Sequence, residues 1–144
     1  MKTFLLIITI LLFMQRISST PRSLSKKAYR KYIEKETESL SNIFAKKTES
    51  EVDGIKFATS IVTFIIYLFM FWFYIHIAGR FNNEILYAFS IVQATTVIVS
   101  GWKMITSNPF STSVDDHPFY RWYFMFNTIL DYMYYPFVIY MLLS

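Results

Sequence analysis

Long stretches of this chain carry no charge. Residues 57–78 contain no Lys, Arg, Asp or Glu, and neither do residues 85–102. Residues 122–143 contain one such residue, Asp131. At about 1.5 Å per residue, a helix over 57–78 reaches roughly 33 Å, and a bilayer core is about 30 Å thick. The shorter run gains reach if Lys103 snorkels to the interface. The pattern predicts three transmembrane helices, with the belts of Trp and Tyr near their ends that suit a membrane interface.

The flanking regions follow other periods. Lys2 precedes an apolar run over 3–14, closed by Gln15 and Arg16. That run is short for a span and has the length of a signal-peptide core. The favoured expectation is a short uncleaved anchor over 1–16, entering from outside. A cleaved signal peptide is the alternative, although Pro21 directly follows the small residues Ser18, Ser19 and Thr20. Residues 24–47 read as an amphipathic helix, because Tyr29, Ile33, Leu40 and Phe44 keep near-helical spacing. The expected fold class is an all-α membrane protein. It comprises the anchor (1–16), a basic amphipathic helical segment (17–56) and a three-helix transmembrane bundle (57–144). Thr48 and Glu51 form a capping-box pattern ahead of the first long span. Gly79 is expected to end that span, Asn83 to cap the next helix, and Asp115 or Asp116 to cap the last, with Pro118 in its first turn.

Composition narrows the class. The chain has 144 residues, 54% hydrophobic and 17% charged, and no Cys. A soluble domain this small lacks the interior to hide so much apolar side chain. Without Cys there is no disulfide framework, thiolate metal site or Cys nucleophile. Ten of the 14 basic residues fall within 16–56, so the net charge of +4 describes one segment and not a nucleic-acid-binding surface. Lys26, Lys27, Arg30 and Lys31 are the candidate contacts to anionic lipid headgroups. Basic loops stay cytoplasmic, which places 16–56 and 103–121 inside and 79–84 outside. The Ile-, Phe-, Tyr-, Lys- and Asn-rich usage fits a low-GC bacterium, so a bacterial cell membrane is the expected location.

Polar residues inside the spans are the remaining candidates for chemistry. Ser90, Gln93, Thr96, Ser100 and Lys103 lie on one helical face, and Asn127, Asp131 and Tyr134 share another. Ser60, Thr63, Tyr67 and Tyr74 line the first span. Such stripes turn toward protein or water, because unpaired polar groups in hydrocarbon are costly. Tyr67, Gln93, Thr96, Asn127 and Asp131 are expected to form one cluster near the midplane. A carboxylate there costs about 2.5–3.5 kcal/mol on insertion scales, and the three spans offer Asp131 no cationic partner. Helix–helix attachment is the expected role, and a transport or proton path is the alternative. Asp115, Asp116 and His117 are adjacent and point apart, so a cap explains them better than a metal site. There is no HExxH, GxSxG or Gly-rich phosphate loop. The expectation is a non-enzymatic accessory, assembly or immunity-type protein without cofactor or metal. It would act through the lipid bilayer and a protein partner or a second copy. A small transporter or channel subunit is the runner-up.

Overall fold

The computed structural model describes residues 2–106 and 109–144, and every regular element among them is helical. The order is α1 (Lys2–Leu24), α2 (Lys26–Phe44), α3 (Glu49–Arg80), α4 (Glu84–Thr106), a 3-10 turn (Val114–Asp116) and α5 (Arg121–Leu143). The caps explain most of the boundaries. Ser25 accepts from the Ala28 N–H and separates α1 from α2. Thr48 and Glu51 close the capping box that starts α3. Asn83 Oδ1 accepts the Leu86 N–H at 2.9 Å and starts α4.

Two of the expected boundaries are wrong. Gly79 does not end α3, which runs to Arg80 and stops at Phe81 in an extended conformation. No glycine takes a positive φ, so the turn does not use glycine's extra freedom. Asp115 and Asp116 do not cap α5 either. The helix begins at Arg121, past Pro118, and Tyr120 at its N-cap makes no side-chain capping bond. Asp116 instead accepts from the Ser111 hydroxyl, and His117 Nε2 lies 3.3 Å from the Ser111 carbonyl. The loop is organised around Ser111, which engages the Asp116 carboxylate away from the helix.

Packing builds two antiparallel pairs, α1 with α5 and α3 with α4, joined along α4 and α5. The buried core is Leu5 of α1, Phe73, Tyr74 and Ile77 of α3, Leu86 and Ala94 of α4, and Tyr134, Tyr135, Val138 and Leu142 of α5. Tyr29 of α2 packs 5.3 Å, ring to ring, from both Phe119 and Phe124, which fixes α2 against the start of α5. Burial, then the neighbouring Tyr32 and Tyr120 hydroxyls, raises the Tyr29 phenol above its usual pKa.

Among the described residues three helices are long and apolar enough to cross a membrane: α1, α3 and residues Glu84–Lys103 of α4. The set differs from the expected one. The N-terminal helix does not stop near Arg16 but continues for 23 residues to Leu24. Its exposed stripe (Phe4, Ile7, Leu11, Met14) is opposite a buried one (Leu5, Thr9). Conversely α5, also 23 residues, is not among the three. Tyr123, Tyr132, Tyr134, Tyr135 and Tyr140 lower its mean hydropathy, as do Asn127 and Asp131. The physical reason is position. α5 touches α1 and α4 and reaches Tyr74 of α3, so much of its surface meets protein.

Replacing the α4 cap, Asn83→Ala, should cost about 1 kcal/mol in local stability. Amide exchange at Leu86 should then quicken by about fivefold, with exchange at Asp131 unchanged.

Candidate functional site

The candidate site is a buried polar seam where α1, α4 and α5 meet. Each helix contributes because its polar residues recur at helical spacing. On α1, Thr9, Arg16, Thr20 and Ser23 advance by seven, four and three, all on the face turned toward protein. On α4 the contributors are Ser90, Gln93 and Ser100, and on α5 Tyr123, Thr128, Asp131 and Tyr134.

Asp131 is the centre. Its Oδ1 accepts from Gln93 Nε2 at 2.6 Å. Its Oδ2 lies 2.8 Å from Arg16 Nε, and both side chains are largely buried, at 17% and 14% exposure. The approach to Nε is an ion-pair contact rather than an aligned hydrogen bond, since that N–H meets no acceptor along its axis. A second guanidinium nitrogen, Nη2, donates to Thr128 Oγ1 at 2.6 Å. Thr128 Oγ1 in turn donates to the Phe124 carbonyl at 2.7 Å. Thr96 Oγ1 donates to the Gln93 carbonyl at 2.8 Å and approaches the Gln93 amide oxygen at 3.4 Å, which helps hold that side chain. One carboxylate is thus held by a cation from α1 and an amide from α4.

Further pairs extend the seam in both directions. Ser100 and Tyr123 hydroxyls lie 2.9 Å apart. Ser90 and Tyr134 are 3.0 Å apart, and Tyr74 and Tyr135 are 2.6 Å apart and buried. The Tyr134 ring links the last two pairs, edge-on to Tyr74 at 5.4 Å and to Tyr135 at 5.5 Å.

Several sequence expectations for this site need correction. The expectation that Asp131 lacks a cationic partner fails, because Arg16 is not an interfacial flank but part of the buried seam. Tyr67 is not in the cluster. It stands beside Gly101, eight residues along α4 from Gln93, or roughly 12 Å away. Tyr74 takes the expected place of a tyrosine from α3. Asn127 sits one helical turn from Asp131, but its buried Oδ1 has no hydrogen-bond partner among the described residues. Gln93, Thr96 and Asp131 do come together. Lys26, Lys27, Arg30 and Lys31 are exposed on α2, and Arg30 has an ion pair to Glu34 at 3.3 Å. That exposed pair contributes little.

Arg16, Thr128 and the Tyr74–Tyr135 pair are the residues sequence reasoning missed. Arg16 could have been found from its place in the 9, 16, 20, 23 stripe, had the apolar run not been taken to end at the first charge.

Among the described residues no three His, Cys, Asp or Glu side chains converge as metal ligands. The groups that do converge can attach helices electrostatically, and their hydroxyls and amides form hydrogen-bonded pairs along α4 and α5. No protein family, curated protein or solved structure matches this chain, so its geometry carries the functional argument.

Removing one partner strands the other charge in an apolar interior, which costs about 3–5 kcal/mol, whereas replacing both with apolar residues is close to neutral. Arg16→Met alone should therefore lower thermal stability in detergent markedly. The double variant Arg16→Met with Asp131→Leu should recover most of the loss. A double variant as unstable as the sum of the singles would contradict a coupled pair.

Proposed function

We propose that this chain is a multi-pass integral membrane protein of a bacterial cell membrane that acts through partners, as an accessory, assembly or immunity-type subunit and not as an enzyme. One observation carries this reading. Asp131, the carboxylate deepest among the helices, has both oxygens engaged, by Arg16 and by Gln93. A carboxylate held this way attaches helices, and it is poorly placed to cycle protons or polarise a substrate. The apolar exterior of α1 and α3 supports insertion. Phe57, Val62, Phe64, Ile65 and Ile66 are all more than half exposed, which is costly in water and ordinary in lipid. The exposed lysines and arginines of α2 support contact with anionic headgroups on the cytoplasmic side.

A second reading has an observation of its own. The pairs Ser100–Tyr123, Gln93–Asp131 and Ser90–Tyr134 follow one another along α4 and α5, and a chain of hydroxyls and amides can relay protons. The two readings part in the wild type and in the double variant Arg16→Met with Asp131→Leu, which leaves no stranded charge. If the protein attaches helices and works through partners, the wild type leaves proton flux into proteoliposomes at the empty-vesicle level, and the double variant still assembles and copurifies with the same protein after mild solubilisation. A wild-type flux that disappears in the variant would favour the relay.

Topology gives an independent check. The chain contains no Cys, so single cysteines report without background. A cysteine at Lys31 should react with a membrane-impermeant thiol reagent only after the membrane is opened, and one at Asn82 in intact cells. The reverse pattern would overturn the orientation.

A further inference from the structure

Beyond the polar seam, a concavity lies between α3 and α4. The two helices pack tightly near their connecting turn, where Phe73, Ile77, Ala78, Leu86 and Ala94 are buried. Toward their other ends they separate, and no residue of 57–72 is buried. A groove of about 720 Å³ runs there, walled by Phe57, Ser60, Phe64, Tyr67, Gly101 and Trp102 among others. That volume falls in the range of small-ligand sites.

The dimensions select the occupant. A Cβ placed on Gly101 would stand 3.9 Å from Tyr67 Cγ, so only one aromatic ring separates the two helices there. A third helix with its side chains needs about 10–12 Å and cannot enter, but a hydrocarbon chain can. From Phe57 to Phe71 the groove follows roughly 21 Å of helix, more than the depth of one leaflet in a core of about 30 Å. Its outer end carries a matching charge. Lys56 continues the helical face of residues 60, 64, 67 and 71. Its side chain is 41% exposed, with a long contact to Asp53 at 4.0 Å and its ammonium 5.6 Å from the centre of the Phe44 ring. An exposed pair that long is weak, leaving the ammonium able to meet a phosphate.

We propose that the α3–α4 groove holds one acyl chain of a glycerophospholipid whose phosphate pairs with Lys56. The site rests on membrane insertion but not on the partner reading.

Trp102 is the reporter. In the full chain with Trp72→Phe and Trp122→Phe, it is the remaining tryptophan. The protein is reconstituted in bilayers containing a minor fraction of phospholipid brominated on its acyl chains. Trp102 should be quenched more strongly than random mixing predicts. Gly101→Leu or Ser60→Leu, each filling the groove, should abolish the excess. Lys56→Gln should weaken the preference about fivefold, the loss of one phosphate contact near the surface. Quenching that follows the brominated fraction alone, or an excess that survives both filling variants, would overturn the proposal. An excess untouched by Lys56→Gln would overturn the phosphate assignment. No quenching in a fully brominated bilayer would overturn insertion itself, and the groove site with it.

Discussion

One buried charge pair sets how the helices meet. Arg16 and Asp131 lie 115 positions apart in sequence and 2.8 Å apart in space. Neither charge is tolerable alone in an apolar interior, since an unpaired ion there costs several kcal/mol. Apolar packing alone fixes position loosely, because one leucine face suits another at many registers. A guanidinium that must reach one carboxylate while donating to Thr128 permits a single rotation and depth of α1 against α5. Gln93 then brings α4 to the same carboxylate. The two helix pairs are thereby referred to one point.

This arrangement explains why the helices differ in composition. α5 meets α1, α3 and α4, and it holds Tyr134, Tyr135 and the carboxylate because those neighbours supply their partners. α1 and α3 turn Phe, Ile and Leu outward, where on the proposed insertion only lipid meets them. On the polar face of α1, Arg16 and Thr20 bond to α5, while the opposite face carries Phe4, Ile7, Leu11 and Met14 outward. A helix that only tethered the chain to a bilayer would not need that asymmetry. Residues outside the pairs, such as Asn127 with its unsatisfied oxygen, mark where the seam is less complete.

Much of the helical layout was legible in the sequence, since apolar runs and caps act locally. The Thr48–Glu51 box and the Asn83 cap could be read because their hydrogen bonds close within three residues. The polar face of α4 was also legible, because 3.6-residue periodicity fixes which side chains share a side. Partners across helices were not. Tyr67 and Tyr74 lie on one face of α3, and only the packing against α5 determines that Tyr74 reaches Tyr135. Arg16 was hidden for a different reason. A charge after an apolar run reads equally as a membrane flank or as a buried ion, and the difference lies in a residue far along the chain. The Asp116 cap failed because the Ser111 hydroxyl engages its carboxylate, and the Gly79 cap failed because the turn after α3 uses no left-handed residue.

The most direct test asks whether α1 lies against α5 in the membrane-embedded protein. Phe13 and Tyr135 rings are 6.2 Å apart, one turn from the charge pair. With cysteines at these two positions, a short cleavable thiol cross-linker should join them in native membranes. Proteolysis within the lysine-rich α2 should then leave the two fragments attached until the linker is cut. Fragments that separate despite full reaction of both cysteines would contradict the account, because α1 would not then be held where Arg16 can meet Asp131.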